Sequence, residues 1–156
     1  MLKFDEAAKI QSVNDALAWR PKINEVVDAL CQAGYKNICW MGIGGTLASA
    51  WQAENHMKER TAIEVFVENA AEYLTTGNKR VGKGTILIFS SYSGTTKEIV
   101  AGLEKAKADG ATVLGFVDNA DSPLARMSDH MFSFPVNEQL KFFMTADRFM
   151  FNAGEF

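Results

Sequence analysis

The length, composition and charge of the chain exclude several classes of protein. It has 156 residues, of which 47% are hydrophobic, so it can form one domain with its own core. The formal net charge of −3 argues against a nucleic-acid interface and against binding to an anionic membrane. No apolar run is long enough to span a bilayer, and the charged first ten positions do not resemble a signal peptide. We therefore expect a cytoplasmic protein.

Two helices are predicted before the first strand. Apolar residues at helical spacing predict one helix over residues 4–19 and a second over residues 21–33, which Gly34 ends. Residues 1–34 would form a helical extension that packs on a neighbouring subunit or domain, or on the core of the chain itself. The two cysteines of the chain, Cys31 and Cys39, lack CxxC spacing and are predicted to be small core residues.

Strands and helices alternate through residues 35–156, which predicts a single α/β domain. The predicted strands cover residues 37–41, 62–67, 85–89, 112–117 and 131–134. The predicted helices cover residues 47–58, 69–75, 97–109, a short segment that begins at residue 121, and residues 138–151. This alternation predicts a three-layer, doubly wound, five-stranded parallel sheet with helices on both faces, for which we take the flavodoxin-like strand order 2-1-3-4-5 as the expectation. The last helix is apolar on most faces, which suggests that it packs on a partner or on a further domain.

A turn rich in hydroxyl groups follows the third predicted strand and precedes a helix. It carries Ser91, Ser93, Thr95 and Thr96, with Gly94 among them. The free N–H groups and the dipole of the following helix point into such a turn, and the hydroxyls add neutral donors. We predict that an anion, a phosphate above all, binds there. The alternative is that these residues are ordinary helix caps, although one hydroxyl is enough for a cap.

A second ligand-like loop, Gly42-Ile43-Gly44-Gly45-Thr46, follows the first predicted strand. With the predicted strand order, the first and third strands end side by side at the switch point of the sheet, so the two loops should converge. Gly44 and Gly45 would allow close approach to the backbone, and Thr46 would add a hydroxyl. The loop also matches part of a dinucleotide-binding fingerprint, but Leu47 stands where the third glycine should be.

The segment Ser91-Tyr92-Ser93-Gly94-Thr95-Thr96 resembles the Ser-x-Ser-Gly-x-Thr hallmark of the sugar isomerase (SIS) domain family. The resemblance extends over residues 37–134 and includes the glycine-rich loop, in which Thr46 stands where the family usually has Ser. It implies that both loops bind the phosphate group of a phosphorylated sugar or sugar amine, without a cofactor. Where glucosamine-6-phosphate synthases have Gln between the two serines, this chain has Tyr92.

The two leading helices resemble the tandem-SIS group, which includes fructosamine-6-phosphate deglycases and the isomerase part of glucosamine-6-phosphate synthase. The resemblance implies that this chain is the first of two SIS domains, or that it acts as a homo-oligomer. In that group the catalytic Glu and His belong to the second domain, so the catalytic residues of this chain stay unidentified.

Few side chains of the chain are candidate acids or bases. His130 is placed at the sheet edge far from the loops, and His56 is too far along its helix from Thr46 to reach the same ligand. Glu68 and Asp118 follow strands at the correct edge and could contact hydroxyls of a sugar, although solvated helix caps are the simpler interpretation. No metal-ligand spacing is present. Three functions stay open: an isomerase or deglycase domain, a phosphosugar sensor without turnover, and a nucleotide-binding domain.

Overall fold

The computed structural model describes residues 5–133, and a five-stranded parallel sheet is the centre of this part of the chain. The strands are β1 (Asn37–Gly42), β2 (Glu64–Asn69), β3 (Thr85–Ser91), β4 (Thr112–Val117) and β5 (His130–Ser133). The helices are α1 (Glu6–Leu17), α2 (Arg20–Ala33), α3 (Gly45–Lys58), α4 (Ala70–Thr76), α5 (Lys97–Ala108) and α6 (Pro123–Met127). The strand order is β2-β1-β3-β4-β5, which confirms the predicted topology. Within residues 5–133, none of the helices has the length and hydrophobicity needed to cross a membrane.

The sheet is covered on both faces, and its two central strands are therefore buried throughout. Every residue of β1 and β3 is buried, as expected for the middle of a parallel sheet between two helical layers. Because successive side chains of a strand point to opposite faces, Trp40 and Ile88 join one core cluster, whereas Met41 and Phe89 join the other. Helix α3 packs in the first cluster and α5 in the second. The connections after β1 and β3 therefore diverge to opposite faces of the sheet.

The two N-terminal helices pack in the first of these clusters. Ile23 and Val26 of α2 are buried there beside Trp40, and Ala16 of α1 is buried in the same cluster. The indole N–H of Trp19 donates a hydrogen bond of 2.9 Å to the backbone oxygen at the end of β5. The helices thus contribute to the core of this chain, while the division of the chain at residue 34 stays a prediction.

The observed strand boundaries differ from the predicted ones by two residues at two strands and by one residue at β1 and β5. Strand β2 is displaced two residues toward the C-terminus, and β3 continues two residues beyond Phe89. Ser90 and Ser91 continue β3 because they lie in register with Phe116 and Val117 of the neighbouring strand β4. The predicted helix over residues 138–151 lies outside the described residues.

The two cysteines have different environments, and the prediction that both are core residues is wrong for Cys31. Cys31 is exposed, because the buried face of α2 is the one that carries Ile23 and Val26. Cys39 is fully buried in the middle of β1. Burial, and to a smaller extent the charge of Glu68, raises the pKa of the Cys39 thiol well above its ordinary value.

Candidate functional site

The loops that leave β1 and β3 meet at one cavity of about 210 Å³, here called the two-loop cavity. The described residues that line it are Ile43, Thr46, Ser90, Ser91, Tyr92, Ser93, Thr96 and Ile99. Five of these eight are Ser or Thr, and the volume is that of several water molecules at about 30 Å³ each. The cavity can therefore hold a small polar ligand, or the polar end of a larger one.

A glycine and a threonine give the loop after β1 its shape. A Cβ atom on Gly42 would lie 2.8 Å from the backbone nitrogen of Leu47, so only glycine lets α3 begin this close to the strand. The Oγ1 of Thr46 accepts a hydrogen bond from the N–H of Ile43 at 3.2 Å and donates one to its carbonyl at 2.9 Å. Thr46 therefore closes the loop and at the same time lines the two-loop cavity.

The hydroxyls of the loop after β3 hold its backbone in a tight turn. The Oγ of Ser91, which is buried, accepts a hydrogen bond of 3.1 Å from the N–H of Gly94. The Oγ of Ser93 accepts one of 3.2 Å from the N–H of Thr95 and another of 3.1 Å from its hydroxyl. Two of the hydroxyls that face the cavity are thus fixed in position before any ligand binds.

Gly94 packs against helix α6. Its φ is +65°, and a Cβ atom there would lie 2.1 Å from the Oγ of Ser122. The carbonyl of Gly94 accepts a hydrogen bond of 3.2 Å from the N–H of Leu124, while Ser122 caps α6 by accepting one from the N–H of Ala125. Gly94 therefore joins the loop to α6, which braces the turn from the side of the second core cluster.

The two-loop cavity is electrostatically suited to an anion although no fixed cation lines it among the described residues. Its described lining contains no basic residue and no acidic residue. Helix α5 begins directly after Thr96, and no side chain caps its first N–H groups at that residue. These N–H groups and the helix dipole give partial positive charge, as at other phosphate sites on helix N-termini.

The structure brings together five of the nine residues that the sequence marks as ligand-binding. Those that line the two-loop cavity are Thr46, Ser91, Tyr92, Ser93 and Thr96. The others, Gly44, Gly45, Gly94 and Thr95, belong to the same loops but are not among its described lining. Their ligand-binding role stays a prediction.

Sequence reasoning missed Ser90 as a lining residue. The predicted strand ends at Phe89, so Ser90 falls in the predicted turn, whereas the structure makes it a strand residue with a defined face. Continuing the alternation of the strand by one residue would have placed its side chain opposite to that of Ser91.

The candidate acids and bases lie elsewhere in the described part of the chain. Glu68 accepts a hydrogen bond from the side-chain amide of Asn78 and also faces Arg80. His56 is exposed on α3. His130 is the first residue of β5 and so lies at the amino ends of the strands, whereas the two loops leave their carboxyl ends. Among residues 5–133 no group of three or more His, Cys, Asp or Glu side chains could hold a metal ion.

A comparison with protein-family models matches residues 33–148 to the SIS domain. The match covers both loops and all five strands, and it extends beyond the described residues.

Solved structures resemble this chain over most of its length. A proposed phosphosugar isomerase from Salmonella typhimurium LT2 matches with a TM-score of 0.70 and 22% identity over 87% of this chain. A proposed phosphosugar isomerase involved in capsule formation in Bacteroides fragilis NCTC 9343 matches with 0.78 and 20% over 96%. The E. coli CFT073 protein c3406, in complex with arabinose-5-phosphate, matches with 0.69 and 19% over 97%. At these identities the similarity shows the fold alone.

The matched structures differ in length. The chain spans 42% of the Salmonella protein, but 82% of the Bacteroides protein and 88% of the E. coli protein. Its fold therefore occurs both as part of longer chains and as nearly the whole of shorter ones.

Proposed function

Because the chain belongs to the SIS domain family, we propose that its two-loop cavity binds the phosphate group of a phosphosugar. We further propose that the chain serves a sugar-phosphate deglycase or an aldose/ketose-phosphate isomerase. The observation that carries this proposal is the meeting of Thr46 with Ser93 and Thr96 in one cavity, at the start of helix α5, whose N-cap residue Thr96 makes no side-chain cap hydrogen bond.

The chemistry of the cavity supports a phosphorylated ligand. A phosphate dianion accepts hydrogen bonds and donates none, and the cavity offers hydroxyls from two loops together with backbone N–H groups. Hydrogen bonds to a charged group contribute about 1.5–3 kcal/mol each, so a few neutral donors can hold a dianion without lysine or arginine. One of the matched structures is a complex with a pentose phosphate, which supports the same class of ligand.

The proposed reaction needs a proton-transferring group beside the sugar, and no redox cofactor. Isomerisation of an aldose to a ketose moves a proton between two neighbouring carbons, and a deglycase adds water to release the amine. Tyr92 is the one described lining residue with a titratable side chain. We therefore propose that a second SIS domain or a second copy of this chain supplies the acid and base.

A sensor without turnover is the second candidate function. The lack of an acid or base favours this function, since the described lining of the two-loop cavity contains no carboxylate or imidazole. Such a domain would bind a phosphosugar and transmit its presence to a partner. Turnover assays separate the two: a phosphosugar that binds and is never converted identifies the sensor.

Calorimetric titration of the full chain with hexose, pentose and fructosamine phosphates tests the proposal. Free sugars and inorganic phosphate serve as reference ligands, and Ser93→Ala removes one hydroxyl of the cavity. We expect phosphosugars to bind and free sugars not to bind. Ser93→Ala should weaken binding about tenfold to a hundredfold, which corresponds to the loss of one hydrogen bond to a charged group.

Thr75→Ala is the matched control for this titration. Thr75 is an exposed residue of α4 whose hydroxyl bonds only to backbone oxygens of its own helix in the described part of the chain. The affinity of the Thr75→Ala variant for phosphosugars should equal that of the wild type. Equal affinities of Ser93→Ala and wild type, or equal binding of sugars with and without phosphate, would contradict the proposal.

A further inference from the structure

Ser90 carries a buried hydroxyl at the two-loop cavity, and this hydroxyl makes no hydrogen bond within the described part of the chain. Ser90 is 2% exposed, and its Oγ has no hydrogen-bond partner among residues 5–133. Folded proteins leave few buried polar atoms in this condition, and each such atom calls for an explanation. The hydroxyl lines the cavity, so a bound ligand can reach it.

The position of Ser90 in β3 separates it from the phosphate-binding turn. Strand alternation directs the side chain of Ser90 to the face of Ile86 and Ile88, and that of Ser91 to the other face. Ser91 and Ser93 already accept hydrogen bonds within the turn. Ser90 therefore belongs to the wall of the cavity on the side where α3 packs, away from the turn that opens α5.

The chemistry of a hydroxyl decides what kind of ligand group would satisfy it. A serine hydroxyl both donates and accepts, whereas a phosphate dianion can only accept. Ser90 shares its face of β3 with the apolar residues Ile86 and Ile88, so its lone pairs would stay unsatisfied if its hydroxyl donated to a phosphate oxygen. A hydroxyl group of a sugar donates and accepts, so it can fill both roles.

We infer that Ser90 is a specificity-determining residue that hydrogen-bonds one hydroxyl of the sugar part of the ligand. The inference rests on the proposed phosphosugar function and deepens it, because it separates recognition of the sugar from recognition of the phosphate. A buried polar group that a ligand leaves unpaired discriminates strongly against that ligand. Sugar phosphates that lack the matching hydroxyl should therefore be rejected.

The test combines a variant of Ser90 with a series of ligands. Ser90→Ala and wild type are titrated with the phosphosugar that binds wild type best, with its monodeoxy analogues and with inorganic phosphate. We expect Ser90→Ala to bind the parent phosphosugar at least tenfold more weakly and inorganic phosphate within twofold of wild type. The deoxy analogue that lacks the hydroxyl bound by Ser90 should bind wild type and Ser90→Ala with the same affinity, because the hydrogen bond between Ser90 and the sugar is absent from both complexes.

Protein stability supplies a second readout that distinguishes Ser90 from a structural serine. Ser122 is also 2% exposed, but its Oγ caps α6 by accepting from the N–H of Ala125. In denaturant unfolding without ligand, Ser122→Ala should lower the midpoint, whereas Ser90→Ala should leave it unchanged or raise it, because no bond is lost.

The outcomes separate this inference from the proposed function. If wild type binds phosphosugars and Ser90→Ala binds them equally well, the inference fails and the proposed function stands. If Ser90→Ala weakens inorganic phosphate as much as the phosphosugar, Ser90 contacts the phosphate and the inference is wrong. If wild type binds no phosphosugar, both fail together.

Discussion

Two hollows of the domain differ in size and in how their polar groups are partnered. The larger one, about 500 Å³, lies between α4, its connection to β3 and the end of α5, and is here called the α4–α5 hollow. It is lined by Tyr73, Thr76, Gly77, Asn78, Lys79, Val81, Lys105 and Asp109. The two-loop cavity has less than half this volume and no charged side chain in its described lining.

The partnering of the polar groups, more than the size, distinguishes a candidate site from a surface hollow. In the α4–α5 hollow the ammonium of Lys105 donates to the carbonyl of Tyr73 at 2.9 Å and lies over its ring, and the Tyr73 hydroxyl donates to Asp109 at 3.4 Å. These groups hold the helices together. In the two-loop cavity the buried Oγ of Ser90 has no partner among the described residues, so of these two hollows it is the two-loop cavity in which we propose that a ligand binds.

Replacing Gly94 should disrupt the two-loop cavity and produce the largest effect of all. Gly94→Ala combines a φ of +65° with a Cβ atom 2.1 Å from the Oγ of Ser122, so the turn and α6 must move apart. We expect a loss of about 3 kcal/mol or more in the free energy of unfolding, together with loss of phosphosugar binding. Denaturant unfolding and calorimetry measure the two effects.

Gly34→Ala is the matched control, because it isolates backbone strain from the steric clash. Gly34 has a φ of +80°, and a Cβ atom there would meet nothing within 4 Å. Gly34→Ala should lower the free energy of unfolding by about 1–3 kcal/mol through backbone strain alone, and it should leave phosphosugar binding unchanged. Equal losses for the two variants would show that contact with α6 does not matter for the turn.

The sequence predicts the fold well because local signals agree with the topology. The apolar β-branched run before Ser90 and the strand–helix alternation are enough to predict a parallel sheet with helices on both faces. The strand order is taken from the flavodoxin-like arrangement, and the convergence of the two loops follows from that order. The hydroxyl turn is recognisable because Ser91 and Ser93 stand between a buried strand and a helix start. Here each local preference points to the same global arrangement.

Features that depend on contacts between distant residues could not be predicted from the sequence. That Gly94 packs on Ser122 depends on where α6 docks, which no local pattern determines. That the Ser90 hydroxyl has no hydrogen-bond partner between residues 5 and 133 depends on every neighbour of β3 in that part of the chain. The exposure of Cys31 similarly follows from which face of α2 meets the sheet, since composition alone marks cysteine as a core residue.

Adding a negative charge to each hollow in turn sharpens the comparison directly. Ser93→Asp places a carboxylate in the two-loop cavity, where it should repel the phosphate group and weaken phosphosugar binding at least a hundredfold. Lys79→Glu changes the charge of the α4–α5 hollow by two units in the same direction, at an exposed position. It should leave the affinity within about twofold of wild type, because exposed charges at a distance are largely screened by salt. If calorimetric titration showed a comparable loss of affinity for Lys79→Glu, the phosphosugar would bind in the α4–α5 hollow and the proposed site would be wrong.

The smallest expected effect concerns the pH dependence of stability, which should report on the α4–α5 hollow alone. Burial, followed by the charge and hydrogen bond of Asp109, raises the pKa of Tyr73 from 10.0 to about 12. Between these values the folded protein keeps a proton that the unfolded chain releases, so this stabilisation is complete below pH 10 and is lost as the pH rises toward 12. In Tyr73→Phe the free energy of unfolding should therefore fall less steeply between pH 9 and pH 11 than in wild type, while phosphosugar affinity at pH 7 stays the same. Cys39 is present in both proteins, and burial raises the pKa of its thiol as well. Identical slopes would show that the Tyr73 hydroxyl ionises as freely in the folded protein as in the unfolded chain, so that its burial and its contact with Asp109 do not raise its pKa.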